Sequence, residues 1–260
     1  MTAAEHDARG EAHVKALGSS VGRLRALVET LGDGDLTTRA YPSEWTMADV
    51  LSHLGSGAVI THRRLEDTLA GRETPDDHAP GVWDQWNAKT PAAQRSDALV
   101  ADAGLLARLE EVPLEARDRV SFAMGPMTLT FADFVGMRLN EHAFHTWDIE
   151  VVGDPSATLP SEAAALVVDN VELVARFTAR PTGDTQTISV RTTDPARAFA
   201  VDLTPDAASL RRSDTASNAD VELPAEAFAR LVYGRLDPHH TRPIQNSETL
   251  DQLRQVFPGL

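Results

Sequence analysis

Apolar residues recur at three- and four-residue intervals over residues 6–31, at Val14, Leu17, Val21, Leu24, Leu27, Val28 and Leu31. That period lines one stripe of an amphipathic helix, which the turn from Gly32 to Gly34 ends. A second helix starts at Thr46. Asp49, three residues on, completes a capping box, and Trp45 packs forward over the first turn; Val50, Leu51, Leu54, Ala58 and Leu65 carry the apolar face to Gly71. Residues 72–91 are rich in Pro, Asp and Gly, enclose Trp83 and Trp86, and read as a long connection. A third helix is expected over 92–112, and a hairpin or extended turn over 120–129, centred on Gly125 and Pro126. Thr130 and Asp133 repeat the capping box and open a fourth helix reaching about Val152.

Four helices with one long crossover make a bundle, so a four-helix bundle is expected over 1–152. Residues 153–160, GDPSATLP, have the composition of a linker. Beyond it the pattern changes to a helix over 161–179, β-type runs at 187–192, 198–203 and 209–212, and helices over 224–236 and 248–256. The fold class is therefore α plus α+β, with a small α+β domain over 160–260.

Composition narrows the chemistry. The formal charge of −15 excludes a nucleic-acid surface, which needs clustered cations to displace counterions. The first residues are polar, without the apolar core of a signal peptide, and the longest apolar stretch is interrupted by Asp169 and Glu172, so a soluble cytoplasmic protein with no membrane span is expected. There is no cysteine, which removes disulfides, thiolate ligands and a cysteine nucleophile; any thiol chemistry must use a thiol from outside.

Against that background, the helix MRLNEHAFHTWDIE carries Arg138, Glu141, His145 and Asp148 at one-turn spacings. Glu141 and His145 project from one face and form half of a metal site. If His53 arrives from a facing helix, the set becomes two imidazoles and a carboxylate with open positions, as catalytic zinc and non-haem iron(II) sites have. A solvated Glu–His contact is the plain alternative. The large apolar neighbours Phe134, Met137, Phe144 and Trp147 argue for burial instead, where charge must be paired or bound. Arg138 either neutralises Glu141 or holds a substrate carboxylate through its guanidinium fork. Asp148 is placed to orient an imidazole. Asp49 either caps its helix or orients His53, and His142, about 100° around the helix from Glu141, is not read as a ligand.

The string WTMADVLSHL at 45–54, followed by MRLNEHAFHTWD at 137–148, resembles the mycothiol-dependent maleylpyruvate isomerase family, whose N-terminal domain is a DinB-like helical bundle. The C-terminal half is similar to the family's second domain, an α+β unit of sterol-carrier type, down to the LVYGRLD ending at 231–237. The resemblance implies zinc on His53, Glu141 and His145. It also puts a functionally important arginine at Arg235, for which a helix-end charge is the equal alternative.

The same resemblance implies mycothiol as thiol cofactor or cosubstrate and a small-molecule electrophile as its partner. Zinc coordination makes a thiol a thiolate at neutral pH. Conjugate addition, bond rotation and elimination then isomerise a double bond, and displacement transfers the thiol. Arg138 and Arg235 are the candidates for gripping a carboxylate. The alternatives are a thiol-oxidising enzyme using Fe2+ in place of Zn2+ and a non-catalytic small-molecule-binding protein, each as monomer or small homo-oligomer.

Overall fold

The computed structural model describes residues 3–124, 127–214, 219–240 and 246–259. The chain divides into two compact units, Met1–Asp154 and Pro155–Leu260.

In the first unit α1 (Ala3–Val28) leads through a 3-10 turn, Asp35–Thr37, to α2 (Met47–Leu69). Asp49 N donates to Thr46 Oγ1 at 3.1 Å and Thr46 N to Asp49 Oδ2 at 2.8 Å, a reciprocal cap that sets where α2 starts. Next come α3 (His78–Asn87), α4 (Pro91–Glu110), the single turn α5 (Leu114–Arg117) and the antiparallel strands β1 (Phe122–Met124) and β2 (Met127–Leu129). The turn expected at Gly125 and Pro126 lies outside the described residues. A second reciprocal cap, Thr130 with Asp133, opens α6 (Phe131–Gly153).

Helices α1, α2, α4 and α6 are the bundle, α2 packing along α4 and α1 along α6. Leu24, Leu51, Leu54, Leu105, Phe144 and Trp147 are sealed in its core. Helix α6 is buried on nearly every side, so its polar residues Arg138, Asn140, His142, His145, Thr146 and Asp148 sit inside protein. A polar group in that position needs an internal partner, and this requirement shapes the site.

The segment read as a connection contains α3. Val82 and Trp86, one turn apart, bury themselves against the bundle. Pro80 and Gly81, which speak against a helix, fall within its first turn, where a missing N–H costs nothing.

The second unit starts with α7 (Ser161–Val167) and α8 (Val171–Thr178), separate helices where one was expected over 161–179. The break falls at Asp169 and Asn170, and the Asp169 carboxylate is taken by Arg197 and Arg212. Strands β3 (Gln186–Thr193), β4 (Arg197–Thr204) and β5 (Ala207–Arg212) form an antiparallel meander. A fourth strand, β6 (Val221–Pro224), joins parallel to β3 and gives the order β5-β4-β3-β6. Then follow α9 (Ala225–Val232), a 3-10 turn at Pro238–His240, and α10 (Ser247–Val256). Ile188, Val190, Phe199, Val201 and Leu203 point inward, and the rings of Phe199 and Phe228 meet at 4.9 Å between centroids. Among the described residues no helix is long and apolar enough to cross a membrane.

Just past α9, Gly234 has φ +68°, and a Cβ there would lie 2.2 Å from Gly259 Cα. Gly234→Ala combines left-handed strain, of order 1–3 kcal/mol, with displacement of the C-terminal backbone. Faster amide exchange in β3 and α9, with α2 and α6 unaffected, is the expected result; unchanged exchange in the second unit would contradict it.

Candidate metal centre

His53 lies in the second turn of α2, and Glu141 and His145 one turn apart on α6. Packing of the two helices brings His53 Nε2 to 2.9 Å from Glu141 Oε2, with His145 Nε2 at 3.5 Å from the same oxygen. One donor atom from each residue lies within 4.8 Å of the others, in the only cluster of this kind among the described residues. His145 is nearly sealed, whereas the side chains of His53 and Glu141 remain 35% and 49% exposed, so the centre opens to solvent on one side. Burial pushes the Glu141 carboxyl up, but hydrogen bonds from His145 and His53, aided by their charge, hold it well below the usual carboxylate range.

Behind the centre, fully buried Asp148 accepts from His145 Nδ1 at 2.8 Å, which aims the other ring nitrogen at Glu141. Trp45 lies against both imidazoles, 5.7 Å from His145 in a near-parallel stack and 5.2 Å from His53. Asp49 is occupied by its cap, bonding Thr46 N and Oγ1, and does not orient His53.

Arg138 departs from both expectations. It neither pairs with Glu141 nor offers its fork to a substrate carboxylate, because its guanidinium is enclosed in the bundle core. Nη2 donates to Asp102 Oδ1 at 2.5 Å and to the Leu54 carbonyl at 2.8 Å. The other Asp102 oxygen faces His142 Nε2 at 3.3 Å, and Ser20 Oγ lies 2.8 Å from His142 Nδ1. His142 is thus a core residue rather than a member of the exposed cluster. Motif spacing does not single out Asp102 and Ser20, but the apolar period does: Asp102 falls on the stripe of Ala98, Leu105 and Leu109, and Ser20 on that of Leu17 and Leu24.

Arg235 belongs to the second unit. It follows the end of α9, where its Nη1 donates to the Tyr233 carbonyl at 3.0 Å and its N–H to the Arg230 carbonyl at 2.7 Å. These bonds satisfy carbonyls that the helix end leaves unpaired.

The family model described as mycothiol maleylpyruvate isomerase N-terminal domain matches residues 17–150, a span holding His53, Glu141 and His145. No curated protein sequence matches the chain. A crystal structure of the mycothiol-dependent maleylpyruvate isomerase is similar to it with a TM-score of 0.65 at 14% identity, covering 90% of this chain and 95% of that one. The crystal structure of a histidine-to-alanine mutant of a mycothiol-dependent maleylpyruvate isomerase gives 0.64 at 13%, covering 87% and 89%. At such identities the likeness to the two structures is one of fold.

Proposed function

The chain belongs to the mycothiol maleylpyruvate isomerase family, an enzyme family, and from that premise we propose that it holds zinc on His53, Glu141 and His145 and presents the thiol of mycothiol to a small electrophile. The reaction is either isomerisation of a conjugated double bond or transfer of the thiol. The observation that carries this reading is the convergence of two imidazole nitrogens and a carboxylate oxygen within 4.8 Å on a face open to solvent. The donor set fits the metal: three nitrogen and oxygen ligands with an open side are what a catalytic zinc requires. When bound, zinc would supply deprotonation of a coordinated thiol at neutral pH, and the thiol itself must come from outside because the chain has no cysteine.

The protein's own part is orientation. Asp148 fixes the tautomer of His145 and the aim of its Nε2. Trp45 packs against both imidazoles and limits their rotation. Asp148→Asn keeps the shape but weakens the acceptor, and zinc affinity is expected to fall roughly 10–100-fold, read by competition with a chromogenic chelator. Equal affinity in the variant would remove Asp148 from this role.

The function itself is tested by metal analysis of protein purified without added metal, then incubation of the zinc-loaded protein with mycothiol and a panel of electrophiles, maleylpyruvate among them. Mass spectrometry distinguishes an isomerised product from a thiol conjugate. The absence of both metal retention and any thiol-dependent product would overturn the reading, and stoichiometric iron with oxygen consumption would replace zinc with iron chemistry.

A further inference from the structure

A buried ion pair is a poor stabiliser, because desolvation of both charges consumes most of their attraction, and apolar replacements of similar volume are commonly neutral or better. Arg138 and Asp102 nevertheless face each other in the bundle core, 5% and 2% exposed. The guanidinium is also held at a cost to itself, since its Nε meets no acceptor among the described residues. Its position follows from two contacts of one nitrogen. Nη2 reaches Asp102 Oδ1 on α4 and the carbonyl of Leu54 on α2, and Leu54 is the residue after His53. Arg138 itself stands one turn before Glu141 on α6. Helix α2 is shaped to receive it: a Cβ on Gly57 would lie 2.8 Å from Arg138 Nη1, so a side chain at that position would push the guanidinium away.

The second Asp102 oxygen extends the tie. His142 Nε2 donates to it, His142 Nδ1 lies within hydrogen-bond distance of Ser20 Oγ on α1, and His142 is the residue after Glu141. Ser20, His142 and Asp102 follow one another in the order of a nucleophilic triad. They are 3%, 0% and 2% exposed, so no substrate reaches the hydroxyl and the chain of bonds is a scaffold.

We propose that Arg138, Asp102 and Gly57 form a positioning device for the metal centre, locking α2 to α6 so that His53 stands at coordinating distance from Glu141 and His145. This inference rests on the metal reading above. Arg138 and Asp102 touch neither metal nor substrate, and they act through the backbone beside one ligand and the helix that carries the other two.

The test uses the full chain, with zinc affinity measured by chelator competition and ligand geometry by the visible absorption of the cobalt(II)-substituted protein. Two variants are compared with wild type. Arg138→Met with Asp102→Asn removes both charges together while leaving an acceptor for His142. Gly57→Ala favours the helix and displaces only the guanidinium, so the device stays testable if the double variant fails to fold. Both variants, shown helical by circular dichroism, are expected to bind zinc at least about tenfold more weakly and to shift the cobalt bands, as loss of supporting contacts does at metal sites. Wild-type affinity and an unchanged cobalt spectrum in a folded Gly57→Ala, or in a folded double variant, would overturn the proposal. Failure of the wild-type chain to bind zinc would instead overturn the metal reading, and the inference with it.

Discussion

His53→Ala is expected to abolish zinc retention while leaving the bundle as stable as the metal-free wild type. The imidazole sits at the edge of the centre, its side chain 35% exposed, and it is bonded to Glu141, which keeps His145 as a partner. Its removal opens no cavity in the core, and substitutions of that kind stay within about 0.5 kcal/mol. A zinc ligand is another matter. Loss of a residue that only supports a ligand costs roughly 10–100-fold in affinity, and loss of the ligand itself is expected to exceed that range. His145→Ala should lose zinc equally but also lose stability, since it removes the imidazole bonded to buried Asp148.

Thermal unfolding separates these effects. Trp45, Trp83, Trp86 and Trp147 all lie in the first unit, so tryptophan fluorescence follows that unit. Free zinc at a hundred times its Kd adds about 2.7 kcal/mol to a folded state that binds it, and roughly 5–10 °C of midpoint in a domain of this size. Wild type should show that shift and both variants none. A full zinc-dependent shift in His53→Ala and His145→Ala would sink the proposed ligand set.

The parts of the fold legible in the sequence are those in which local chemistry decides. Thr46 with Asp49 and Thr130 with Asp133 mark the starts of α2 and α6 because a reciprocal cap needs only four residues. The one-turn spacing of Glu141 and His145 is legible for the same reason. What depends on distant residues is not. Helix α3 is held by Val82 and Trp86 against the bundle, and no periodicity in a short segment containing Pro80 and Gly81 announces it. Strand β6 spans Val221–Pro224 and owes its existence to the edge of β3.

Arg138 is the clearest case. One turn before Glu141, it reads as that residue's counter-ion or as a carboxylate clamp, and only the packing of α4 reveals Asp102 as its partner. Arg138 lies on the part of α6 that faces the other helices, where a cation without a buried acid would not be tolerated. Asp102 on the apolar stripe of α4 is the complementary signal. Read together, two charges on two buried stripes imply a pair; read singly, neither does.

Asp102→Ala is accordingly expected to destabilise the first unit about as much as truncating one of its large buried side chains. It leaves the Arg138 guanidinium enclosed without its anion and His142 Nε2 without its acceptor. Removing one partner of a buried pair costs about 3–5 kcal/mol, which corresponds to a drop of roughly 6–20 °C in the fluorescence midpoint. Replacing both members by Arg138→Met with Asp102→Asn leaves no orphaned charge and should cost far less. The loss also has a pH signature. Burial pushes the Asp102 carboxyl up, but the charges of His142 and Arg138 and their hydrogen bonds outweigh it and hold the group below its ordinary value. A carboxyl depressed in the folded state stabilises above its unfolded pKa, about 3.9, and loses that contribution only as pH falls through the lower folded value. The gap between wild type and Asp102→Ala should therefore be full at pH 6, persist at pH 5, and narrow only below about pH 4. A gap under about 1 kcal/mol at pH 6, or one that closes between pH 6 and 5, would show that the carboxylate does not carry the core pairing assigned to it.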